Sequence, residues 1–352
     1  MRSIVISILL LIFTFCVYAQ NVTNVRVYQD GEDIIITYDL DKKATISVWV
    51  ATGQSNQYTE LKAVTGNVGN DVSAGVNKQI IWQPLQEQNE FVARNVRFKV
   101  AAKPDYYFSV SATKKVAFSP GNLQYTRSTH TWSFAEHQYY IIGEANGRGH
   151  VLADKIDLFG WSGSMGSAQW GISTSQSNLD YSGDFVDWGT NTIGTDAPNT
   201  WRTLTYIEWY YLRYTRTDAN NLIGIACINL NADGSKYADG LILLPDNWTC
   251  PVGVTFKSGF ASETSVQAYA DCQTLTLSDW QSLEATGAVF LPVSGDRDGA
   301  CVYNVLLNGY YWSATPLGSD DAYCLNIFSG VAYTFNYDRY IGRSVRLVQD
   351  LD

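Results

Sequence analysis

The sequence predicts two domains, a first one built only of strands and a second one that combines strands with two short helices. Short β-branched runs separated by turn residues occupy residues 20–103. Two copies of one helix-like pattern, together with long loops rich in Gly, Asn and Trp, occupy residues 104–352. A chain of 352 residues is long enough for about two domains of ordinary size.

Composition indicates a globular chain and excludes one class of partner. Hydrophobic residues make up 46% of the chain, charged residues make up 16%, and the net charge is −10. Nucleic-acid binding requires a basic surface that neutralises phosphates, and the sequence has no basic stripe. We therefore expect no nucleic-acid partner.

The N-terminus has the pattern of a secretory signal peptide. Arg2 precedes an apolar run from Ile4 to Tyr18, and Ala19 ends a plausible cleavage motif. The run is shorter than the roughly 20 residues of a spanning helix, although a retained anchor is the alternative. The sequence therefore predicts a signal peptide over residues 1–19, export to the cell surface or the medium (the periplasm being the alternative), and no membrane span after cleavage.

Residues 20–103 predict a small β-sandwich. Their β-branched runs are separated by turn-forming stretches such as "DGED" and "GNVGND". The runs are Asp33–Leu40, Thr45–Gly53, Asn77–Pro84 and Val96–Lys103. About 80 residues suffice for such a sandwich.

The second domain contains the pattern L-T-x-x-acid-W-x-x-L twice, at Leu204–Leu212 and Leu275–Leu283. In each copy a Thr is followed three residues later by an acid, which is the pattern of a helix capping box. The Trp and the last Leu then share one helix face. We expect two short structural helices, each of which buries a Trp.

A hairpin is predicted between these helices. Two apolar runs flank Asn-Ala-Asp-Gly within Leu222–Pro245. The same segment resembles the start of a calcium-binding EF-hand loop, but Gly240 occupies the twelfth position, where that loop needs Glu. The hairpin is therefore the preferred interpretation.

The sequence contains no recognisable catalytic motif, and its histidines do not have the spacing of metal ligands. His130, His137 and His150 lack metal-ligand spacing, and no nucleophile motif or phosphate-binding loop occurs. In the long loop of residues 177–201, two interpretations stay open for the acids, a structural calcium site or solvated side chains. These acids are Asp180, Asp184, Asp187 and Asp196.

Cysteine usage also argues against a metal site. After signal cleavage five cysteines remain, at irregular spacing and without a C-x-x-C pair. They are Cys227, Cys250, Cys272, Cys301 and Cys324. One disulfide is compatible with export, but its partners cannot be assigned. The sequence predicts no catalytic residue, no metal and no cofactor, and thus not an enzyme.

Several motifs resemble known families. The first domain resembles the immunoglobulin-like module of exported Bacteroidetes proteins through "ITYDL", "VTGNVG" and "GVNKQIIW". The second resembles the C-type-lectin-like fold, in the branch shared with formylglycine-generating enzymes, through both Trp helices, "FLPVSGDRDG", "YYWSATP" and "RYIGRSVRLV". The resemblance implies an all-β immunoglobulin-like sandwich followed by an α+β C-type-lectin-like domain with two short helices and a loop-rich sheet.

This chain departs from both of the better-known branches of that fold. Formylglycine-generating enzymes hold copper with a late cysteine pair, and here Cys301 and Cys324 lack the surrounding motif of that family. Sugar-binding lectins use Glu-Pro-Asn or Gln-Pro-Asp with Trp-Asn-Asp, whereas this chain has Asp-Ala-Pro-Asn at 196–199. Neither activity is therefore carried over.

The C-terminal segment is similar to the variable region of ligand-binding proteins diversified by retroelements. Rewriting of adenines in Asn-type codons cannot yield Lys, Glu, Gln or Met, and residues 285–348 contain none of these four types. A strand-rich, aromatic segment that avoids these residues is the alternative explanation.

The same segment divides into framework and recognition residues. Tyr offers a large rigid contact area, and Asn and Ser offer adaptable hydrogen bonds. We assign to the framework Tyr311–Thr315, Ala322, Leu325, Ile327, Arg339 and Gly342–Val348. We assign to an exposed ligand-binding face Tyr303, Asn308, Tyr310, Ser319, Asp320, Asp321, Tyr323, Asn326, Phe328, Tyr333, Phe335, Asn336, Tyr337, Asp338 and Tyr340. Strand alternation places Tyr323 on the framework side, opposite Asn326 and Phe328.

The predicted function is that of a cell-surface or secreted ligand-binding protein of the adhesin type. Its ligand is a protein or a glycan at a surface, and its recognition face is either fixed or diversified. The alternatives are a structural subunit of a surface assembly and, less favoured, an enzyme of the formylglycine-generating type.

Overall fold

The chain forms two compact units, Met1–Asp105 and Tyr106–Asp352, in a computed structural model. The structure describes residues 4–7, 22–41, 43–53, 58–87, 91–104, 106–246, 248–259, 272–328 and 330–351. Strands predominate and helices are few, so the predicted mainly-β mixed fold is confirmed at that level.

The described part of the first unit contains strands and a short helix. Its strands are β1 (Ile4–Ser7), β2 (Val22–Asp30), β3 (Asp33–Leu40), β4 (Ala44–Ala51), β5 (Thr59–Glu60), β6 (Val64–Gly66), β7 (Gly69–Val72), β8 (Gly75–Trp82), β9 (Phe91–Arg94) and β10 (Arg97–Pro104), and its helix is α1 (Pro84–Glu87). One sheet has the order β2-β3-β8-β6, and a second has the order β10-β4-β5 with β7 also paired to β4.

Alternating side chains of the two sheets form one core. Ile36 and Tyr38 of β3, Ile46 and Val48 of β4, and Trp82 of β8 are buried in the same hydrophobic cluster. The four β-branched runs predicted as strands therefore form β3, β4, β8 and β10.

Most of the predicted signal peptide lies outside the described residues. Within residues 1–19 the structure describes Ile4–Ser7, which pairs in parallel with β9. Among the described residues, no helix has the length and apolar character needed to cross a bilayer.

The second unit is larger and has more, shorter strands. These are β11 (Phe108–Ser109), β12 (Lys115–Phe118), β13 (Leu123–Thr126), β14 (Thr131–Phe134), β15 (Gly147–Arg148), β16 (Val151–Leu152), β17 (Lys155–Ile156), β18 (Arg202–Thr203), β19 (Ile223–Asn229), β20 (Tyr237–Leu243), β21 (Gln273–Thr276), β22 (Val289–Pro292), β23 (Asp296–Asp298), β24 (Cys301–Tyr303), β25 (Asn308–Leu317), β26 (Asp321–Phe328), β27 (Val331–Asp338) and β28 (Leu347–Leu351).

Helical segments of the second unit are short. They comprise α2 (Tyr206–Tyr210) with a following π-helical turn (Tyr211–Thr215), α3 (Leu277–Ala285), and 3-10 turns at Gly143–Asn146, Gln169–Gly171, Asn178–Tyr181, Trp188–Thr190 and Ala219–Asn221. Both capping boxes predicted from the repeated pattern are present, with Thr205 and Thr276 as N-caps. Trp209 and Trp280 are fully buried, so the prediction of two Trp-docking helices is confirmed.

Sheets of the second unit link distant parts of the chain. The final strand β28 pairs with the early strand β12 and with β18, in a sheet ordered β11-β12-β28-β18. A second sheet, ordered β21-β19-β20-β22, contains the predicted hairpin as β19 and β20. A third sheet, ordered β25-β26-β27, contains most of the residues that the sequence analysis assigned to the ligand-binding face.

The long loop of residues 177–201 is held by buried aromatic side chains. Tyr181, Trp188 and Trp201 are buried, and the Trp188 indole donates to the Trp170 carbonyl at 3.0 Å. The close packing depends on Gly189, because a Cβ there would lie 1.7 Å from the Trp201 carbonyl oxygen. This explains how a loop of such length keeps one conformation.

Candidate functional site

The sheet β25-β26-β27 carries most of the predicted recognition residues, and its register divides them between two faces. Asn326 pairs with Tyr310 on one side and with Tyr333 on the other, so these three side chains share a face. We call this side the aromatic face. It comprises Asn308, Tyr310, Asn326, Phe328, Tyr333, Phe335 and Tyr337, together with Trp312 and Cys324.

Exposure rises across the aromatic face from β25 to β27. Phe335 of the edge strand β27 is 50% exposed, and Phe328 at the end of β26 is 45% exposed. Tyr333 and Tyr337 flank Phe335 with ring centroids 6.3 Å and 5.4 Å from it, and both are half-buried. The outer strand therefore presents a continuous aromatic row.

The prediction that Asn308, Tyr310 and Asn326 are exposed is wrong. All three side chains are buried, and Asn326 is 1% exposed. Tyr310 belongs to a buried hydrophobic cluster with Trp312 and Cys324, and the Arg343 Cζ lies 4.0 Å from its ring centroid. These residues form the inner floor of the face, while β27 forms its accessible margin.

Hydrogen bonds tie the floor to the aromatic row. The Asn326 side-chain amide donates to the Tyr337 hydroxyl at 3.2 Å, and the Asn308 amide donates to the Tyr310 hydroxyl at 3.1 Å. Burial raises the pKa of both phenols above the ordinary tyrosine value. Both hydroxyls are therefore protonated at neutral pH and can donate as well as accept hydrogen bonds.

Tyr323 lies on the opposite face of the sheet, as strand alternation predicts. Its ring stacks on Tyr206 of α2, with centroids 4.3 Å apart. On the same side, the Asn336 amide donates to the Asp321 carboxylate at 2.9 Å. Tyr323, Asp321 and Asn336 therefore do not contribute to the aromatic face.

The other assigned residues lie outside the sheet or at its ends. Tyr303 is an exposed residue of β24, and Ser319 and Asp320 lie in the turn between β25 and β26. Asp338 accepts a hydrogen bond from the Asn178 amide at 2.9 Å, and the Tyr340 backbone amide donates to the same Asn178 side chain at 3.3 Å. The last two therefore bind the loop of residues 177–201.

Most framework residues are buried, whereas Ala314 and Thr315 are half-buried. Trp312, Ser313, Ala322, Leu325 and Ile327 are buried, as are Arg339 and every residue of Gly342–Val348. Arg339 also binds the carbonyl oxygens of Gly318 and Gly183, which ties the β25–β26 turn to the long loop.

The sequence interpretation missed two features. Arg343 was assigned wholly to the framework, although its guanidinium reaches the aromatic face. Tyr206, Tyr210 and Tyr214 form a row of neighbouring rings that continues from Tyr323 on the opposite side. Their i, i+4 spacing could have revealed this row in advance.

Two of the loop acids, Asp187 and Asp196, have separate structural roles. The Asp187 carboxylate accepts from the backbone amides of Thr203 and Gly189, each at 2.9 Å. Asp196 is buried and accepts from the Trp201 indole at 2.8 Å, so interpreting it as a solvated acid is wrong. Within the described ranges, no group of three or more His, Cys, Asp or Glu side chains is placed to bind a metal.

The histidines and late cysteines are also dispersed. His130 bonds to the Tyr125 hydroxyl at 2.9 Å, and His137 stacks on Tyr139. Cys301 is exposed on β24, whereas Cys324 is buried on β26 and burial raises its pKa to about 11. The thiols of Cys227 and Cys250 are free, like those of Cys301 and Cys324.

No protein-family model, curated protein or solved structure matches this chain.

Proposed function

We propose that this chain is an exported ligand-binding protein of the adhesin type, and that the aromatic face is its recognition surface. The observation that carries the proposal is the exposed aromatic row on the edge strand β27, centred on Phe335. Exposed apolar side chains on a strand edge promote unwanted association, so their presence is best explained by a partner that covers them.

Three physical properties support recognition by this face. Its rings are mounted on a regular sheet, so little conformational entropy is lost when they are covered. Its hydroxyls and amides add hydrogen-bonding groups beside the apolar area. The margin around Phe335 is accessible, while the floor around Asn326 is buried, so a partner would contact the exposed rings of the margin first.

Each unit has features of a known fold. We propose that the second unit is a C-type-lectin-like domain, which is supported by two capped Trp helices and by the pairing of β28 with β12 near the start of the unit. We propose that the first unit is an immunoglobulin-like sandwich that acts as a spacer, which is supported by two sheets around one core.

Export, the partner class and the lack of enzymatic activity belong to the same proposal. The predicted signal peptide supports delivery to the cell surface or the medium. The partner is a protein or a glycan, and no cofactor is required for contact through aromatic rings. Diversification of the face would add a repertoire of ligands, and a template repeat beside a reverse-transcriptase gene is the observation that tests it.

The functional test compares aromatic positions on and off the face. We would screen the secreted chain against a glycan array and a displayed peptide library, and then measure the binders with Phe335→Ala and Phe328→Ala. Tyr237→Ala is the matched control, because Tyr237 is a similarly exposed aromatic residue on β20. The proposal requires binding that the face variants lose and the control retains; equal binding by all variants contradicts it.

A structural subunit of a surface assembly is the second candidate. It is favoured by the edge position of β27, whose outer side has no neighbour among the described strands and could pair with another chain. Size measurements of the Phe335→Ala variant separate the two functions. Loss of an oligomer indicates assembly, whereas loss of ligand binding by an unchanged monomer indicates recognition.

A further inference from the structure

Arg343 differs from other buried arginines of the second unit in what its guanidinium contacts. Its side chain is 2% exposed, and among the described residues neither Nε nor Nη1 has a hydrogen-bond partner. By contrast, Arg297 donates to the Leu158 and Ser173 carbonyls, and Arg216 donates to the Leu244 carbonyl and the Asp246 carboxylate. The fold therefore supplies acceptors to comparable cations but not to Arg343.

Aromatic rings surround this guanidinium. Its Cζ lies 4.0 Å from the centroid of Tyr310 and 3.9 Å from that of Tyr337, and these two rings meet at an interplanar angle of 79°. Cation–π contact with two rings offsets part of the cost of burying the charge. It does not satisfy the N–H donors, which require oxygen or nitrogen acceptors.

A second polar atom on the same face also lacks a partner. The Asn326 side chain is 1% exposed, and its Oδ1 has no hydrogen-bond partner among the described residues, although its Nδ2 donates to the Tyr337 hydroxyl. Unsatisfied groups cost free energy when they are buried, and charged ones cost most. The Nε–H and Nη1–H groups of Arg343 lack acceptors among the described residues, which a partner carboxylate could supply, whereas Asn326 Oδ1 is itself an acceptor and could be completed only by a donor such as a backbone amide of the same partner.

We propose that Arg343 is a carboxylate-recognition position of the aromatic face, and that it receives an Asp or Glu side chain of a protein partner. This inference rests on the proposed function and specifies the chemistry of its ligand. The acidic side chain enters from the exposed margin beside Phe335. The carboxylate then accepts hydrogen bonds from the guanidinium.

A carboxylate fits this position better than other anions. A carboxylate is planar, so it can form two hydrogen bonds in the plane of the Arg343 guanidinium. The rings of Tyr310 and Tyr337 contact that guanidinium and leave its plane for such a pair. A phosphate is tetrahedral and carries more negative charge. The negative charge of Asp296 contributes, after burial, to the raised pKa of Tyr310, and it opposes a doubly charged phosphate more than a singly charged carboxylate.

A protein partner is favoured over a glycan by the composition of the face. Tyr and Asn dominate surfaces that bind proteins through rigid rings and adaptable amides. The chain has a net charge of −10, so long-range attraction does not draw an acidic partner to it. Selection of the carboxylate must therefore occur at short range, where the Arg343 guanidinium supplies the complementary charge.

The test uses a pair of probes that differ in charge but hardly in shape. The full chain is titrated with propionate and with propionamide while the Arg343 Nε–H resonance is followed by NMR. We expect a saturable shift with propionate and none with propionamide. Because this measurement uses the unaltered chain, it does not depend on any variant folding.

Variants then assign the effect to this residue. Arg343→Met should weaken propionate binding by about tenfold or more, and Arg343→Lys should weaken it less because the charge is kept without the planar fork. Arg26→Met is the control, because it removes the same charge from an exposed position of the first unit. Thermal unfolding of each variant confirms that the fold is intact.

Three outcomes would overturn the inference: equal shifts with both probes, undiminished propionate binding by Arg343→Met, or tighter binding of inorganic phosphate than of propionate. Failure here is distinguishable from failure of the proposed function. If Phe335→Ala abolishes ligand capture while propionate does not bind Arg343, the recognition face stands without a carboxylate position. If propionate binds Arg343 but no ligand depends on Phe335, the proposed function fails instead.

Discussion

The ring of Tyr323 stacks on the ring of Tyr206, with centroids 4.3 Å apart and an interplanar angle of 30°. This contact joins strand β26 to helix α2 on the side of the sheet opposite the aromatic face. It gives Tyr323 a packing role, although Tyr323 belongs to the same Tyr-rich segment as the proposed recognition residues.

A double-mutant cycle tests that role. Aromatic pairs contribute about 0.5–1.5 kcal/mol beyond the area that they bury. We expect Tyr206→Ala and Tyr323→Ala to show a coupling of that size in urea unfolding, whereas Tyr206→Ala and Tyr237→Ala should be additive. Ligand capture by Tyr323→Ala should equal that of the unaltered chain. A coupling near zero, or a loss of ligand with unchanged stability, contradicts the assignment.

Stability should increase as the pH falls from 7 to 5 because of Asp157. This carboxylate is fully buried, and its burial raises its pKa to about 6, even though Asn146 and the Ile142 amide donate to it at 2.7 Å and 2.9 Å. Its unfolded pKa is about 3.9. The folded chain therefore binds more protons between these two values, and stability is lost as the pH rises through about 6.

The comparison with Asp157→Asn isolates this contribution from other carboxylates. We expect the difference in unfolding free energy between the unaltered chain and the variant to shift by roughly 1 kcal/mol between pH 7 and pH 5, in favour of the unaltered chain at pH 5. Urea titrations at both pH values measure it. A shift of zero, or one of opposite sign, would show that the carboxylate is not desolvated as described.

Local features of this chain were predictable because their causes are local. Thr205 and Glu208 are three residues apart, and Thr276 and Asp279 repeat that spacing, so both capping boxes follow from the order of residues alone. The face of the sheet on which each side chain of strand β26 lies follows from strict alternation along the strand.

Burial of the floor of the aromatic face was not predictable in the same way. Tyr310 is buried in a hydrophobic cluster with residues far away in the sequence, such as Phe159, and it packs against Arg343, whose backbone pairs with Phe159. Neither the composition nor the alternation of β26 contains that information. For the same reason the exposed and buried members of one Tyr-rich segment could not be separated from sequence.

Copper binding by a late cysteine pair should be absent. A cysteine binds copper as its thiolate, and the Cys324 thiol is buried with a pKa raised to about 11. In copper(I) competition titrations we expect Cys324→Ser to match the unaltered chain. Cys301→Ser should lose no more than Cys250→Ser, since both of these thiols are exposed. Stoichiometric binding that requires both Cys301 and Cys324 would restore the formylglycine-generating alternative.

The repeated Trp pattern gives two indoles with similar burial but different hydrogen bonding. Trp209 donates from Nε1 to the Trp312 carbonyl at 3.4 Å, whereas Nε1 of Trp280 has no partner among the described residues. Both side chains are buried behind a capping box, at the same position of their helices. The pair therefore compares two buried indoles that differ in hydrogen bonding, Trp209 in one hydrophobic cluster and Trp280 in another.

Replacing each Trp with Phe should therefore cost different amounts of stability. Both changes remove similar volume, but Trp209→Phe also leaves the Trp312 carbonyl without its indole donor, while Trp280→Phe removes a buried N–H that lacks a described partner. We expect Trp280→Phe to be the less destabilising by about 1 kcal/mol in urea unfolding. Both sites lie in the second unit, so the same unfolding transition reports on both variants. If Trp280→Phe costs as much as Trp209→Phe or more, packing around the ring rather than hydrogen bonding determines the stability of these helices.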